Sequence, residues 1–283
     1  MTQVEFRCVS KIFQTGSKKV TALANVDFCV KKGEFWTIIG PSGSGKTTLL
    51  RCLAGFESLT QGEIFVAGKK ITAPGRDRMM VFQDLAQLFP WQSVIGNVLL
   101  ALKLAGRGQN ASERQELARY YLDLVGLAEY AHFYPHQLSG GMKQRVAITR
   151  ALGVKPEVLL MDEPFGSLDA ITRTGLQNEL LRIWQETGVT IVFVTHNIEE
   201  ALLLADNIMV LSRGGVVQAV VKNPLPRPRS LDDIDFAPIW QHLHNLLEEA
   251  GPSKEQGSSL MRNLEPRTGP APRPAASGAL HVN

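Results

Sequence analysis

Cysteine is scarce in this chain: three in 283 residues, at Cys8, Cys29 and Cys52. An odd number of widely spaced thiols supports neither a disulfide framework nor a metal-ligand spacing. All three are therefore expected to be small buried hydrophobes. Long apolar runs are missing as well. No stretch approaches the ~18 apolar residues of a membrane-spanning helix, and Met1-Thr2-Gln3-Val4-Glu5 has no charged-then-apolar leader pattern. The chain is expected to be soluble and cytoplasmic, with any membrane role coming through a partner. A large charge of one sign is also absent. Formal net charge is +3, and residues 223–283 hold six Lys or Arg against seven Asp or Glu. There is no basic arm, so nucleic acid is not an expected partner. The 44% hydrophobic content is ordinary and excludes wholesale disorder.

Periodicity predicts an α/β chain. Val4, Phe6 and Cys8 alternate with polar residues as a strand with one buried face, and 26–30 repeat the pattern. The run Glu34-Phe35-Trp36-Thr37-Ile38-Ile39 ends in a glycine-rich loop, followed by a helix over 47–54 that Gly55 stops. Residues 63–71 read as a small antiparallel hairpin. From about 84 to 154 the pattern turns helical, with Ser112 and Gln115 spaced as a capping box. Leu117, Tyr121, Leu124 and Val125 then form an apolar stripe. Alternation resumes with a strand ending at Asp162, a helix over 170–187 and a strand over 189–195. Near-continuous apolar strands separated by helices imply a parallel sheet covered on both faces. The helical block is thus an insertion. Prolines at 224, 226 and 228 mark a linker. A short amphipathic helix is expected from near Pro238, with Trp240, Leu243 and Leu247 on one side. The Gly-, Pro- and Ser-rich remainder, 251–283, is expected to be disordered.

Chemistry concentrates at strand ends. Gly40-Pro41-Ser42-Gly43-Ser44-Gly45-Lys46-Thr47 matches the P-loop pattern between a strand and a helix. Glycines let successive N–H groups converge on phosphate, and the helix N-terminus adds a favourable dipole. Lys46 would reach the outer phosphates, and the Thr47 hydroxyl would ligate Mg²⁺. Asp162, ending a buried strand, needs a cationic partner, which Mg²⁺ and its waters would supply. Glu163 follows it and suits a general base. His196, just past a neighbouring strand, would reach a γ-phosphate lying over the sheet edge. Gln83 at the junction of core and insert is the expected sensor of Mg²⁺ and attacking water. Leu138-Ser139-Gly140-Gly141-Met142-Lys143-Gln144-Arg145 opens a helix as a second anion-binding terminus. One nucleotide needs one such terminus, so the second invites a second chain.

In this order and spacing these segments resemble the ATP-binding cassette (ABC) ATPases over residues 3–222. Residues 138–145 are similar to the family's signature, and Ser167-Leu168-Asp169 to its D-loop. Phe13 falls where the family places an aromatic ring against adenine. Segments 82–84, 88–91 and 95–98 resemble the nitrate, sulfonate and taurine importer branch. Thr149 and Asn197 depart from it, standing where Ala and Asp are more usual. The resemblance implies a P-loop NTPase core with a mostly parallel sheet, a small N-terminal antiparallel β-subdomain and an inserted α-helical subdomain. It implies MgATP bound by residues 40–48 including Thr48, with Phe13 and Asp169, and completed by Ser139, Gly140 and Gly141 of a twin. Metal would sit on Thr47, Gln83 and Asp162, with Glu163, His196, Lys46 and Gln83 catalytic.

The partners so implied are a head-to-tail homodimer, membrane permease subunits and, indirectly, a solute-binding protein, all at the cytoplasmic face of the cell membrane. Phe89, Pro90 and Trp91 are expected to line a groove for the permease. A detached-subunit exporter, a non-transport ABC ATPase and a catalytically dead cassette are the alternatives. The presence of Lys46, Glu163 and His196 opposes the last. The transported solute is expected to be a small anion.

Overall fold

A computed structural model describes residues 1–231 and 233–251. The expected disordered tail beyond Gly251 lies outside the described residues. In chain order the strands are β1 (Thr2–Thr15), β2 (Lys18–Lys31), β3 (Phe35–Ile39), β4 (Gln61–Val66), β5 (Lys69–Lys70), β6 (Arg78–Val81), β7 (Val158–Asp162), β8 (Thr190–Val194), β9 (Asn207–Ser212) and β10 (Val216–Lys222). The helices are α1 (Lys46–Ala54), α2 (Val94–Leu104), α3 (Ala111–Leu124), α4 (Gly140–Gly153), α5 (Ala170–Thr187), α6 (Ile198–Leu204) and α7 (Phe236–Ala250).

Two sheets result. The larger has the order β10-β9-β3-β8-β7-β6 and is parallel except for the antiparallel edge strand β10. The smaller, β2-β1-β4-β5, is antiparallel. Strands β3, β7 and β8 are buried at every position, and their period of two divides them between two cores. Trp36, Ile38, Leu160, Val192 and Val194 face α1 and the antiparallel sheet. Phe35, Ile39, Leu159, Met161, Ile191 and Phe193 face the core shared with the helices α2 to α7. The helical block α2–α4 enters between β6 and β7, as an insertion must.

Three local expectations are corrected. Cys8 does not share the buried face of Val4 and Phe6. The β1–β2 register shifts between Phe6 and Val9, Cys8 takes φ 49°, and its N–H bonds to Asp27 Oδ1 at 2.8 Å. A bulge inverts the alternation beyond it. Cys8 and Cys29 are exposed and only Cys52 is buried, its thiol pushed up to about 11 by burial. Helix α3 starts at Asn110 rather than Ser112. The Asn110 side chain accepts from Glu113 N at 2.9 Å, and Glu113 Oε2 accepts from Gln109 N at 2.7 Å. The N-cap thus lies two residues earlier than expected, and the Glu113 carboxylate bonds the residue ahead of the cap rather than the cap itself.

The proline-rich segment is irregular, as expected, yet tightly held. Asn223 Nδ2 donates to Leu202 O and Ala205 O at 2.8 and 3.0 Å. Arg229 donates to Leu202 O and Ala205 O at 3.0 and 2.7 Å. These side chains satisfy the free carbonyls at the end of α6. Helix α7 begins at Phe236, two residues before Pro238, and buries Leu243.

Replacing Asn110 by Ala is expected to cost about 1 kcal/mol of stability, the usual worth of such a cap. Ser112→Ala, on an exposed side chain, should stay within about 0.5 kcal/mol of wild type. Urea unfolding of both variants measures the difference, and the reverse ranking would sink the assignment of the cap.

Candidate functional site

The C-terminal ends of β3, β7 and β8 lie side by side, because Ile38 and Asp162 both pair with Val194. Everything chemically distinctive follows these ends. After β3 the loop 40–45 leads into α1, whose N-cap Gly45 takes φ 95° and makes no side-chain cap. A Cβ there would collide with the carbonyl of Ala22, so only glycine fits. The first turn of α1 holds no acidic residue, which leaves its positive end without a built-in anion. Lys46 is buried, and its Nζ donates to the carbonyls of Gly40 and Pro41 at 2.8 and 3.0 Å. Burial lowers the pKa of its ammonium despite Glu163 and Asp162 nearby. The Ser44 hydroxyl is fully buried with no hydrogen-bond partner. A desolvated cation, an orphan hydroxyl and an uncapped helix end on one loop fit a phosphate group.

Opposite the loop, Thr47 Oγ1 donates to Asp162 Oδ1 at 3.1 Å. Burial raises the pKa of Asp162 above the usual carboxylate range, and the Thr47 bond only partly opposes this. The neighbouring Glu163 sits at φ 45°, a conformation costing about 1–2 kcal/mol in a residue with a Cβ. Bonds from Glu163 N to Val194 O at 3.0 Å and from Gly166 N to Glu163 O at 3.1 Å hold it there. The turn aims the carboxylate at His196, whose Nδ1 lies 3.0 Å from Glu163 Oε2. An ionised carboxylate only accepts, so Nδ1 carries the proton. Gln83 is exposed just past β6, and its Nε2 borders Gly166 in the same turn. Among the described residues no three His, Cys, Asp or Glu side chains form a metal cluster. The oxygen pair of Thr47 and Asp162 suits Mg²⁺ held jointly with phosphate, the usual arrangement for that ion.

The remaining predicted residues lie apart from this cluster. Ser139 caps α4, accepting from Met142 N at 3.3 Å. Gly141 packs against Thr172 of α5 so closely that a Cβ would strike its methyl. Asp169 caps α5 by accepting from Thr172 N at 3.0 Å, so its carboxylate is already engaged. Among the described residues no hydrogen bond or ion pair joins 138–141 to 40–48. Phe13 is half-buried under Lys11, whose Nζ sits 4.7 Å from the ring centroid. Asn197 caps α6 through Glu199 N and Glu200 N, the role that the more usual Asp would fill.

Where the insert meets the core, a groove of ≈ 400 Å³ is lined largely by apolar side chains. Phe56, Met79, Phe82, Phe89 and Leu104 are among them, and Arg150 adds a guanidinium to the lining. Of the three aromatic-loop residues expected there, Phe89 lines the groove, whereas Pro90 and Trp91 do not. Trp91 is 69% exposed beside it. Phe56 and Phe82 stack at 6.3 Å, a pairing across sequence that periodicity does not show. Buried Asn97 secures the loop, bonding both N and O of Phe89 and the carbonyls of Gln92 and Ser93.

A P-loop on a parallel sheet, with an acidic strand end and an inserted helical block, defines a P-loop NTPase fold. The comparisons carry the assignment further. The family described as "ABC transporter" matches residues 23–166. An uncharacterized ABC transporter ATP-binding protein of Methanocaldococcus jannaschii, MJ0412, is 46% identical over 85% of this chain and 90% of its own length. The nitrate import ATP-binding protein NrtD of Synechococcus elongatus is 45% identical over 85% and 88%. The bicarbonate transport ATP-binding protein CmpD of Synechocystis sp. is 45% identical over 84% of each chain. The dimeric structure of the ATP-binding cassette MJ0796 in a post-hydrolysis state with ADP and Pi superposes at TM-score 0.69. It is 34% identical and covers 79% of this chain and all of that one. The chain belongs to the ABC transporter ATP-binding proteins and is an ATPase.

Burial of the Asp162 carboxylate has a measurable sign. A carboxyl whose folded pKa is raised loses stability as pH climbs above its unfolded value of ~3.9. Asp162→Asn, which can still accept from Thr47, is expected to raise the Tm of the nucleotide-free protein at pH 7. About 2–4 °C is the response of a domain this size to each ~1 kcal/mol. The gain should shrink as pH falls toward ~4. Calorimetry across pH checks this, and a lower Tm at neutral pH would contradict it.

Proposed function

We propose that this chain is the motor subunit of a membrane importer for a small anion, acting as an ATP-dependent head-to-tail dimer on a permease at the cytoplasmic membrane face. The carrying observation is the Glu163–His196 pair, held at 3.0 Å on the strand edge that also bears Lys46 and the Thr47–Asp162 pair. The anion class follows the nitrate and bicarbonate relatives. No described helix is long and apolar enough to cross a membrane, so contact with one falls to the permease.

Residues 1–222 form the motor in this reading, and 223–250 form the strap and helix closing over α6. Thr47, Asp162 and Gln83 would hold Mg²⁺, which when bound neutralises charge on the phosphates. Glu163 takes a proton from the attacking water as general base. His196 donates Nδ1–H to that carboxylate and fixes its orientation. Its other ring nitrogen, Nε2, is left to face the phosphate. Lys46 exchanges two carbonyl partners for phosphate.

Among the described residues Ser139, Gly140 and Gly141 make no hydrogen bond to the phosphate loop 40–48, which supports their acting on a twin's nucleotide, with the 167–169 loop beside them. Phosphate charge shared across two chains stabilises the closed pair, and only such differential affinity drives closure. The apolar groove then receives a permease segment and moves it with the insert.

Glu163→Gln is expected to lower the hydrolysis rate by roughly 10²–10⁴-fold, the span of general-base catalysis, with ATP binding intact. Gel filtration at saturating MgATP should find this variant dimeric. A monomer there would sink the shared-site mechanism. Ser139→Arg is expected to stop turnover while the P-loop still binds nucleotide, and normal turnover would show that the contact across chains is misassigned.

A further inference from the structure

A second polar network lies behind the Glu163–His196 pair. Glu200, in the first turn of α6, is 6% exposed. Its Oε2 accepts from Thr195 Oγ1 at 2.6 Å. That hydroxyl in turn accepts from Asn197 N at 3.1 Å. Thr195 and Asn197 flank His196, so these two bonds close the backbone turn that presents the imidazole. The other carboxylate oxygen, Oε1, accepts from Gln177 Nε2 of α5 at 3.3 Å. It also lies 3.8 Å from Arg173 Nε, within ion-pair range but beyond a hydrogen bond. The same guanidinium donates through Nη2 to the carbonyl of Leu168 at 2.8 Å. Leu168 belongs to the loop 167–169. One buried carboxylate therefore ties the turn around His196 to the loop that precedes α5, 28 residues earlier in the chain (196 against 168).

A buried carboxylate must be paired, and burial holds Glu200 above the usual carboxylate range despite Thr195, Arg173 and Gln177. Solubility gains nothing from a charge placed there, and an apolar residue would fill the space between α5 and α6 at lower desolvation cost. What the charge does accomplish is geometric. The Thr195 hydroxyl is fixed as donor to Glu200 and acceptor from Asn197, which sets the exit angle of the chain at His196. A misplacement of about 1 Å in a catalytic group can cost 10²-fold in rate.

We propose that Glu200, Thr195 and Arg173 are positioning residues for hydrolysis, holding His196 against Glu163 in register with the 167–169 loop. This rests on the reading of Glu163 and His196 as the reacting pair.

The test measures MgATP hydrolysis and thermal melting on the full-length chain. Thr195→Val is nearly isosteric and keeps the packing. It is expected to lower kcat by about 10–100-fold with little change in KM for ATP, and to lower Tm by a few °C for the polar groups left unpaired, whereas Thr195→Ser restores both. Arg173→Met should show the same loss of kcat at unchanged KM. The double variant Arg173→Met with Thr195→Val should lose no more than the worse single one, since members of one network do not add. Glu200→Gln, which keeps an acceptor for Thr195 but no charge for Arg173, should fall between wild type and Thr195→Val. If Glu200→Gln does not fold, the Thr195 pair decides alone. Wild-type kcat in Thr195→Val, equal loss in Thr195→Ser, or additive losses in the double variant would overturn the proposal. Glu163→Gln is run beside them. Should it hydrolyse ATP at the wild-type rate, the reading of the reacting pair fails. If instead it is inactive while Thr195→Val is normal, only the positioning role falls.

Discussion

The pairing of three buried strands, β3 with β8 and β8 with β7, is the constraint on which the rest of this structure depends. Residues 38, 162 and 194 are far apart in the chain, yet parallel pairing sets Ile38 and Asp162 on either side of Val194. Parallel register delivers three loops to one edge of the sheet. The apolar side chains between the strands commit to two cores at once, so a slip by one residue would turn every one of them to the wrong face. That penalty makes the edge rigid enough to hold an acid, an imidazole and a phosphate loop in a fixed relation.

On this rigid edge the polar groups are left incomplete. Lys46 is buried on carbonyls alone, Ser44 keeps a hydroxyl without a partner, and Asp162 is forced above its ordinary pKa by burial. Each costs the fold stability, through a desolvated charge or an unmade hydrogen bond. Strain at Glu163 belongs to the same pattern: a left-handed turn persists because two backbone bonds and the β8 neighbour over-determine it.

Away from the edge, polar groups are satisfied with care. Asn97 saturates the aromatic loop next to the groove, Asn223 and Arg229 occupy the end of α6, and Glu200 joins two turns. The Asn97 bonds stay within the insert, whereas Asn223 and Arg229 hold the C-terminal strap to the end of α6 and Glu200 joins α6 to α5. The groove opens where insert and core meet, with Phe82 just past β6 and one residue before Gln83.

Much of this was legible from the chain alone, because local chemistry determines it. A strand running into Gly40–Thr47, an acidic pair closing an apolar run and a Ser-Gly-Gly helix start are short patterns whose physics is complete within ten residues. Periodicity likewise showed the insert and the amphipathic α7. Local reading failed where a distant neighbour decided the outcome. The bulge that exposes Cys8 follows from pairing with β2; the cap of α3 is the local exception, because Asn110 and Ser112 are both favourable N-cap residues and short-range pattern does not choose between them. The stacking of Phe56 on Phe82, the hold of the proline-rich strap and the link from Glu200 to Leu168 join residues with no common spacing. Residue types and short-range patterns determined which groups this protein carries. Only tertiary packing decided which of them meet, since contacts between distant segments follow from burying both faces of one sheet.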